Sequence, residues 1–333
     1  MPAALKRGDR GDEVRRLQQA LRALGYLRIG IDGVFGRGTE RSVKAVQYDL
    51  MRNDGSSAAG DGEAPVAVKS YNRRRVREVN GRAGPALIAC IGDMMADDAF
   101  PKLPSVPDPV AANRRVGSAI RKTISDGSVP VPPKFVEAVL RQESAMRHFN
   151  EPGTNDEDRF LTMGLDPDPR RPGRIRSRGY GVGQVTLFHH PPTVEELRRL
   201  ATLASNLRET ARILRGKFEH FVRSFDVRTR AEDRHVEHGD DALRQCKYSA
   251  SDPRFMQDCA NCALAADAID IKPGKTPLYK GSRKSFNRAF HNVPRRDKIG
   301  CDWPYAVRRY NGGGVNSYNY QASVLGILKT LVH

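Results

Sequence analysis

Apolar residues recur at three- and four-residue spacing in several separated runs, and this period constrains the chain toward packed helices. Val14, Leu17, Leu21 and Leu24 form the first stripe. Gly25-Tyr26 ends it, as glycine commonly ends helices. Asp32-Gly33 with Phe35-Gly36 makes a tight reversal, because glycine accepts a positive φ that strains other residues. A second helix is expected from Thr39-Glu40, with Val43 and Val46 on its apolar face. A third is expected over Pro85 to Met95, with Leu87, Ile88 and Ile91 as its apolar positions. A fourth enters through Pro132 and Pro133 and carries Phe135, Val136, Val139 and Leu140.

Glu143 continues that fourth stripe, so its carboxyl faces the apolar side of the helix and sits near the helix's C-terminal end. Desolvation and the negative end of the helix dipole both disfavour the charged form and push the pKa upward. A carboxylic acid still protonated near neutral pH can give its proton to a leaving oxygen. Burial for a purely structural purpose is the alternative for such a residue.

The chain has 333 residues, 39% of them hydrophobic and 29% charged, which suits two globular domains. No uninterrupted apolar stretch approaches the roughly 20 residues that a membrane helix requires, so no membrane insertion is expected. The N-terminus runs from Met1 straight into Lys6, Arg7 and Asp9 without an apolar leader core. Delivery by lysis or by a non-classical secretion route is therefore expected for any action outside the cytoplasm. A formal net charge of +17 favours anionic partners, and cell envelope and nucleic acid both qualify. The basic runs, such as Arg73-Arg74-Arg75, Arg170-Arg171 and Arg308-Arg309, lack the aromatic interleaving of a nucleic-acid module, so nucleic acid is not expected.

Two resemblances give these runs a context. The segments LKRGDRGDEVRRLQQALRALGYL and IDGVFGRGTERSVKAVQ, over about residues 4 to 48, closely resemble the three-helix peptidoglycan-binding domain of cell-wall hydrolases. The resemblance implies wall binding without catalysis, and it places Gln18, Asp32, Phe35 and Gln47 on the family's recurrent landmarks. For each of the four, upkeep of a turn or helix contact is an equal alternative. Further on, Glu143-Ser144, SRGYGVGQVT at 177 to 186 and YAVRRYNGGG at 305 to 314 resemble the ordered motifs of lysozyme-like lytic transglycosylases. TLASNLRETARILRGKF resembles that family's Asn-containing helix, with Asn206 on the matching position, and Tyr320, Val324, Leu325 and Leu328 supply the closing helix. The resemblance is ordered over about residues 130 to 225 and 303 to 330.

The combined expectation is a mainly α protein, with a small three-helix wall-binding domain and an α-rich lysozyme-like domain holding a short β or loop element. Residues 1–100 would form the wall-binding part with an extra helix, 101–111 a proline-rich linker, and 112–333 the catalytic part. Inserts are expected near 151–176 and 226–300. The resemblance implies cleavage of peptidoglycan between N-acetylmuramic acid and N-acetylglucosamine with Glu143 as acid and then base, leaving a 1,6-anhydromuramyl product. A hydrolytic muramidase of the goose-lysozyme kind and a non-catalytic wall-binding protein are the alternatives. Ser144, Gly181, Gly183, Gln184, Tyr310 and Asn311 are the candidate substrate contacts, the two glycines by letting backbone approach the glycan. Tyr310 could instead orient Glu143.

Trp303, Tyr305, Tyr318 and Tyr320 are candidate sugar platforms or core aromatics. Asp156, Glu157, Asp158, Asp166, Asp240 and Asp241 lie in polar stretches that read as solvated surface, so no second catalytic carboxylate stands out. That absence favours transglycosylation, because most glycosidases work with two. His148 shares a helix face with Ser144, but no Gly-x-Ser-x-Gly elbow accompanies them. His189-His190 reads as a loop. Cys246, Cys259, Cys262 and Cys301 cluster as two disulfides, a structural zinc site or free thiols, while Cys90 stands apart. No cofactor or catalytic metal is expected, the partner is glycan in the periplasm or cell wall, and the protein is expected to be a monomer.

Overall fold

The computed structural model describes residues 4–28, 30–55, 66–73, 75–124, 131–167, 173–223, 303–311 and 315–332. The fold is mainly helical with one small sheet. The clustered cysteines Cys246, Cys259, Cys262 and Cys301, the insert 226–300, and Gly312 to Gly314 lie outside the described residues.

The chain forms two compact units that do not follow its linear order. One contains residues 1–116 and 147–206, and the other contains residues 117–146 and 207–333. In the first unit, α1 (Asp12–Ala23) buries Val14, Leu17 and Leu21. Its end is set by Leu24 and by Gly25, whose φ is +75°. The next helix, α2 (Arg37–Arg52), buries Val43, Val46 and Leu50. It starts slightly before the Thr39-Glu40 signal, because Gly36 rather than a side-chain cap opens it. α3 (Pro85–Ala96), started by its N1 proline, adds Leu87, Ile91 and Met94 to the same core. Each of these fully buried aliphatic side chains stabilises the core by about 1.5–3 kcal/mol.

The proline-rich stretch expected as an extended linker is tied down along its length. Leu103 donates its N–H to the carbonyl of Ala23, Leu161 donates to Pro104, and Val106 donates to Arg159. The short helix α4 (Pro109–Arg114) begins within the stretch, capped by Asp108. An antiparallel sheet follows in the order β1 (Met163–Pro167), β2 (Ile175–Tyr180), β3 (Val185–Leu187). The helix α7 (Val194–Ala201) starts at a capping box formed by Thr193 and Glu196.

The second unit holds nearly all of α5 (Val116–Ile124), α6 (Pro133–Ser144), most of α8 (Leu203–Arg223), α9 (Trp303–Tyr310) and α10 (Val315–Val332). Phe135 of α6 and Phe218 of α8 pack against Trp303, whose ring stacks on Phe218 with centroids 4.1 Å apart. Val324, Leu325 and Leu328 are buried on α10. Among the described residues no helix is long and apolar enough to cross a membrane.

Candidate active site

α6 buries Phe135, Val136, Ala138, Val139 and Leu140 and ends one residue after Glu143. Ala145 closes it in the left-handed region, with its N–H on Arg141 and the Met146 N–H on Leu140. Glu143 is half-buried in the last turn. Its Oε1 accepts a hydrogen bond of 2.6 Å from the Tyr320 hydroxyl, reached across 177 residues of sequence. Burial raises the Glu143 pKa to about 7, and the Tyr320 hydrogen bond, which favours the carboxylate, opposes that rise without cancelling it. Tyr310 lies close enough to feel the Glu143 charge, and its hydroxyl is hydrogen-bonded with Thr210. Burial first, and then Glu143, push both Tyr310 and Tyr320 upward. Both phenols therefore stay protonated and remain donors throughout the range in which Glu143 titrates.

Tyr320 replaces two sequence expectations. It is a mostly buried partner of Glu143 and not a sugar platform, and it takes the orienting contact considered for Tyr310. Trp303 is fully buried against Phe135 and Phe218, so it too is core and not a platform. The side chains of Tyr305 and Tyr318 lie outside the described residues. Ser144 donates its hydroxyl to the Leu140 carbonyl. Asn311 is exposed in the turn after α9. A second carboxylate does occur near Tyr310: Glu209, whose charge raises that phenol. Both Glu209 oxygens are engaged by Arg212, at 3.0 and 2.6 Å, and Glu209 is not among the causes that shift Glu143.

Gly181, Gly183 and Gln184 belong to the other compact unit, in the turn between β2 and β3. Asn206 anchors this turn. Its Nδ2 donates to the carbonyls of Tyr180 and Leu200, and its Oδ1 accepts from the N–H of Gly183. His148 braces the same turn: Nδ1 accepts from the Val182 N–H, and Nε2 lies 2.8 Å from the Ala201 carbonyl. A carbonyl only accepts, so the two contacts assign the neutral tautomer with its proton on Nε2. Burial lowers the His148 pKa, which also favours that neutral ring.

Gly181 has φ +68°, and a Cβ there would lie 2.5 Å from Asn206 Nδ2 and 2.8 Å from His148 Cε1. The close approach expected for a glycan at Gly181 is thus taken by Asn206 and His148. Gln184, also at positive φ, returns its amide to the Gly181 carbonyl at 2.8 Å. Sequence reasoning identified Asn206 by resemblance but placed His148 on a helix face with Ser144, although α6 ends at Ser144, and it missed Thr210 and the roles of His148 and Tyr320, because nothing local marks contacts made so far along the chain. Among the described residues no group of three or more His, Cys, Asp or Glu side chains could hold a metal ion.

Residues 10–50 match a family model described as a putative peptidoglycan binding domain. The N-terminal module is a peptidoglycan-binding domain. Comparison with curated proteins found no match. In the peptidoglycan-binding domain, the four landmark residues have internal roles. Gln18 is buried, donates to Asp32 Oδ1 and the Val34 carbonyl, and accepts from the Gly33 N–H. Asp32 itself is exposed and also takes the Val34 N–H. Phe35 is in the core. Gln47 accepts from the N–H groups of Asn80 and Gly81 and donates to the Arg82 carbonyl.

Asp158, expected on the solvated surface, is buried against Arg22 of this domain at 2.9 Å. Its neighbour Glu157 stays exposed beside Arg15. The reason is the guanidinium: a carboxylate leaves water only where an opposite charge and hydrogen bonds replace its hydration.

Proposed function

We propose that this protein cleaves the glycan strands of peptidoglycan between N-acetylmuramic acid and N-acetylglucosamine, with Glu143 as general acid and then general base. The observation that carries the reading is the state of Glu143. It is a half-buried carboxyl with a pKa near 7, pinned by Tyr320 and near a second phenol, at the end of a helix in a chain that begins with a peptidoglycan-binding domain. At neutral pH about half of such groups hold the proton that a leaving glycosidic oxygen needs, and the rest can accept one. Glu143 therefore serves both halves of a reaction in which the acid must become the base.

Transglycosylation is placed ahead of hydrolysis. Among the described residues, Glu209, the carboxylate whose charge reaches Tyr310, is held by Arg212, and an acid without a free carboxylate partner suits internal attack by the muramyl 6-hydroxyl. That attack forms the bond from O6 to the anomeric carbon and breaks the bond from that carbon to the leaving oxygen. The leaving oxygen takes the Glu143 proton, and Glu143 recovers one from the 6-hydroxyl. The proposed place of action is the cell wall or periplasm.

The test is Glu143→Gln on purified peptidoglycan. Wall binding should persist, turbidity loss should stop, and mass spectrometry of the native enzyme's products should show anhydromuramyl ends. Undiminished clearing by the variant overturns the assignment. Reducing muramyl ends would turn the enzyme into a hydrolase.

A further inference from the structure

We infer that residues 147–206 and the peptidoglycan-binding domain form one rigid recognition element, joined by two buried arginines, Arg22 and Arg178. Arg22 lies in the last turn of α1 with no exposed side-chain surface. Its Nε meets Asp158 Oδ2 at 2.9 Å and its Nη2 meets the Leu161 carbonyl at 2.7 Å. Asp158 is fixed in turn by Asn150 Nδ2 and by the Phe160 N–H. Arg178 reaches the other way, from β2, and donates Nε to the Gly25 carbonyl at 2.9 Å. Its guanidinium lies 5.6 Å from the centre of the Tyr26 ring, and the Tyr26 hydroxyl is bonded to Asp49 of α2 at 2.8 Å. His190 packs its edge against the same Tyr26 ring at 4.6 Å, while its carbonyl takes the Asn53 amide. Ile175 of β2 packs against the core of the domain itself.

Two charged side chains buried in opposite directions across one joint differ from the surface of a module on a tether. A tethered module keeps polar, hydrated faces toward its neighbour. Here, opening the joint would expose Tyr26, fully buried against Arg178 and His190, and would separate Arg22 from Asp158, charges that compensate one another only while it is closed. Arg178 also lies three residues before Gly181, where the braced turn begins. The domain and the turn therefore move together. Under the proposed glycan-cleaving function, on which this last step alone rests, the domain and residues 147–206 meet the wall as one body and not as a module on a tether.

Native-state amide hydrogen exchange on the full chain, in low concentrations of denaturant, tests the joint without using catalysis, so its outcome is separate from that of Glu143→Gln. The slow amides of α1, α2, β2 and β3 should converge on one opening curve. Sheet amides that open on a shallower curve, while α1 and α2 stay protected, overturn the inference. Asp158→Asn, which leaves the Arg22 charge buried without its counterion, should accelerate exchange in α1 and in β2–β3 alike by about 100-fold. Arg22→Met combined with Asp158→Leu should return both toward the native rate. Acceleration confined to residues 156–161 overturns the inference, and if Asp158→Asn fails to fold, the denaturant curves of the native chain decide.

Discussion

In the turn at Gly181–Gln184, the buried polar side chains have their partners: Asn206 uses both amide hydrogens and its oxygen, and His148 uses both ring nitrogens. At the end of α6, Glu143 sits in a similarly apolar setting where, among the described residues, the Tyr320 hydrogen bond opposes its burial, and its pKa is raised to about 7. The difference separates support from chemistry. A neutral amide surrounded by partners holds backbone in place and has no proton to trade. A carboxyl whose burial outweighs its hydrogen bonding is poised to exchange one.

Glu143→Gln should sharpen this contrast most. Clearing of peptidoglycan should fall by about 10²–10⁴-fold, the range of a positioned acid or base. The same variant should be more stable than the native protein above pH 7. The folded-state pKa lies above the ordinary glutamate value, so the folded protein holds the proton more tightly than the unfolded chain. The carboxyl's contribution is then favourable in acid and lost as pH rises toward and through about 7. Thermal unfolding at pH 8 and at pH 4.5 measures this, and a variant less stable at pH 8 would place Glu143 with the supporting groups.

Asn206→Ala should do the reverse, costing about 2–4 kcal/mol by leaving the Gly183 N–H and two carbonyls without their partner. Denaturant titration checks it, and a loss below about 1 kcal/mol would mean that the turn holds without its anchor. Gly181→Ala should cost about 1–3 kcal/mol, from the positive φ and from the contact at Asn206. Tyr320→Phe should be the mildest, with clearing reduced by about tenfold. Its hydrogen bond lowers the Glu143 pKa, so the alkaline limb of the pH–rate profile should move to higher pH. An unmoved limb would show that Tyr320 is core alone.

Local periodicity made several elements legible. The stripes at Val14–Leu24 and Phe135–Leu140 became α1 and α6 because a helix face needs only neighbours three and four residues away. The position of Glu143 on the buried side of α6, and the reversal at Asp32-Gly33, followed from the same short-range rules. Surface and core could not be told apart where a distant partner decides. Asp158 reads as solvent-facing until Arg22, 136 residues earlier, removes it from water. Trp303 reads as either a platform or a core aromatic until Phe135 and Phe218 enclose it. The stretch around Leu103 reads as an extended linker until Ala23 takes its N–H.

The amino-acid sequence by itself determined several of the helices, the glycine-closed turns, the peptidoglycan-binding domain and the place of Glu143 in the last turn of α6, since each rests on residues close together in the chain. Only the tertiary structure decided that Tyr320 holds that carboxyl and that residues 147–206 pack with the peptidoglycan-binding domain. Those outcomes depend on desolvation and on pairing between distant residues. Both quantities belong to the packed chain and have no value for a segment taken alone.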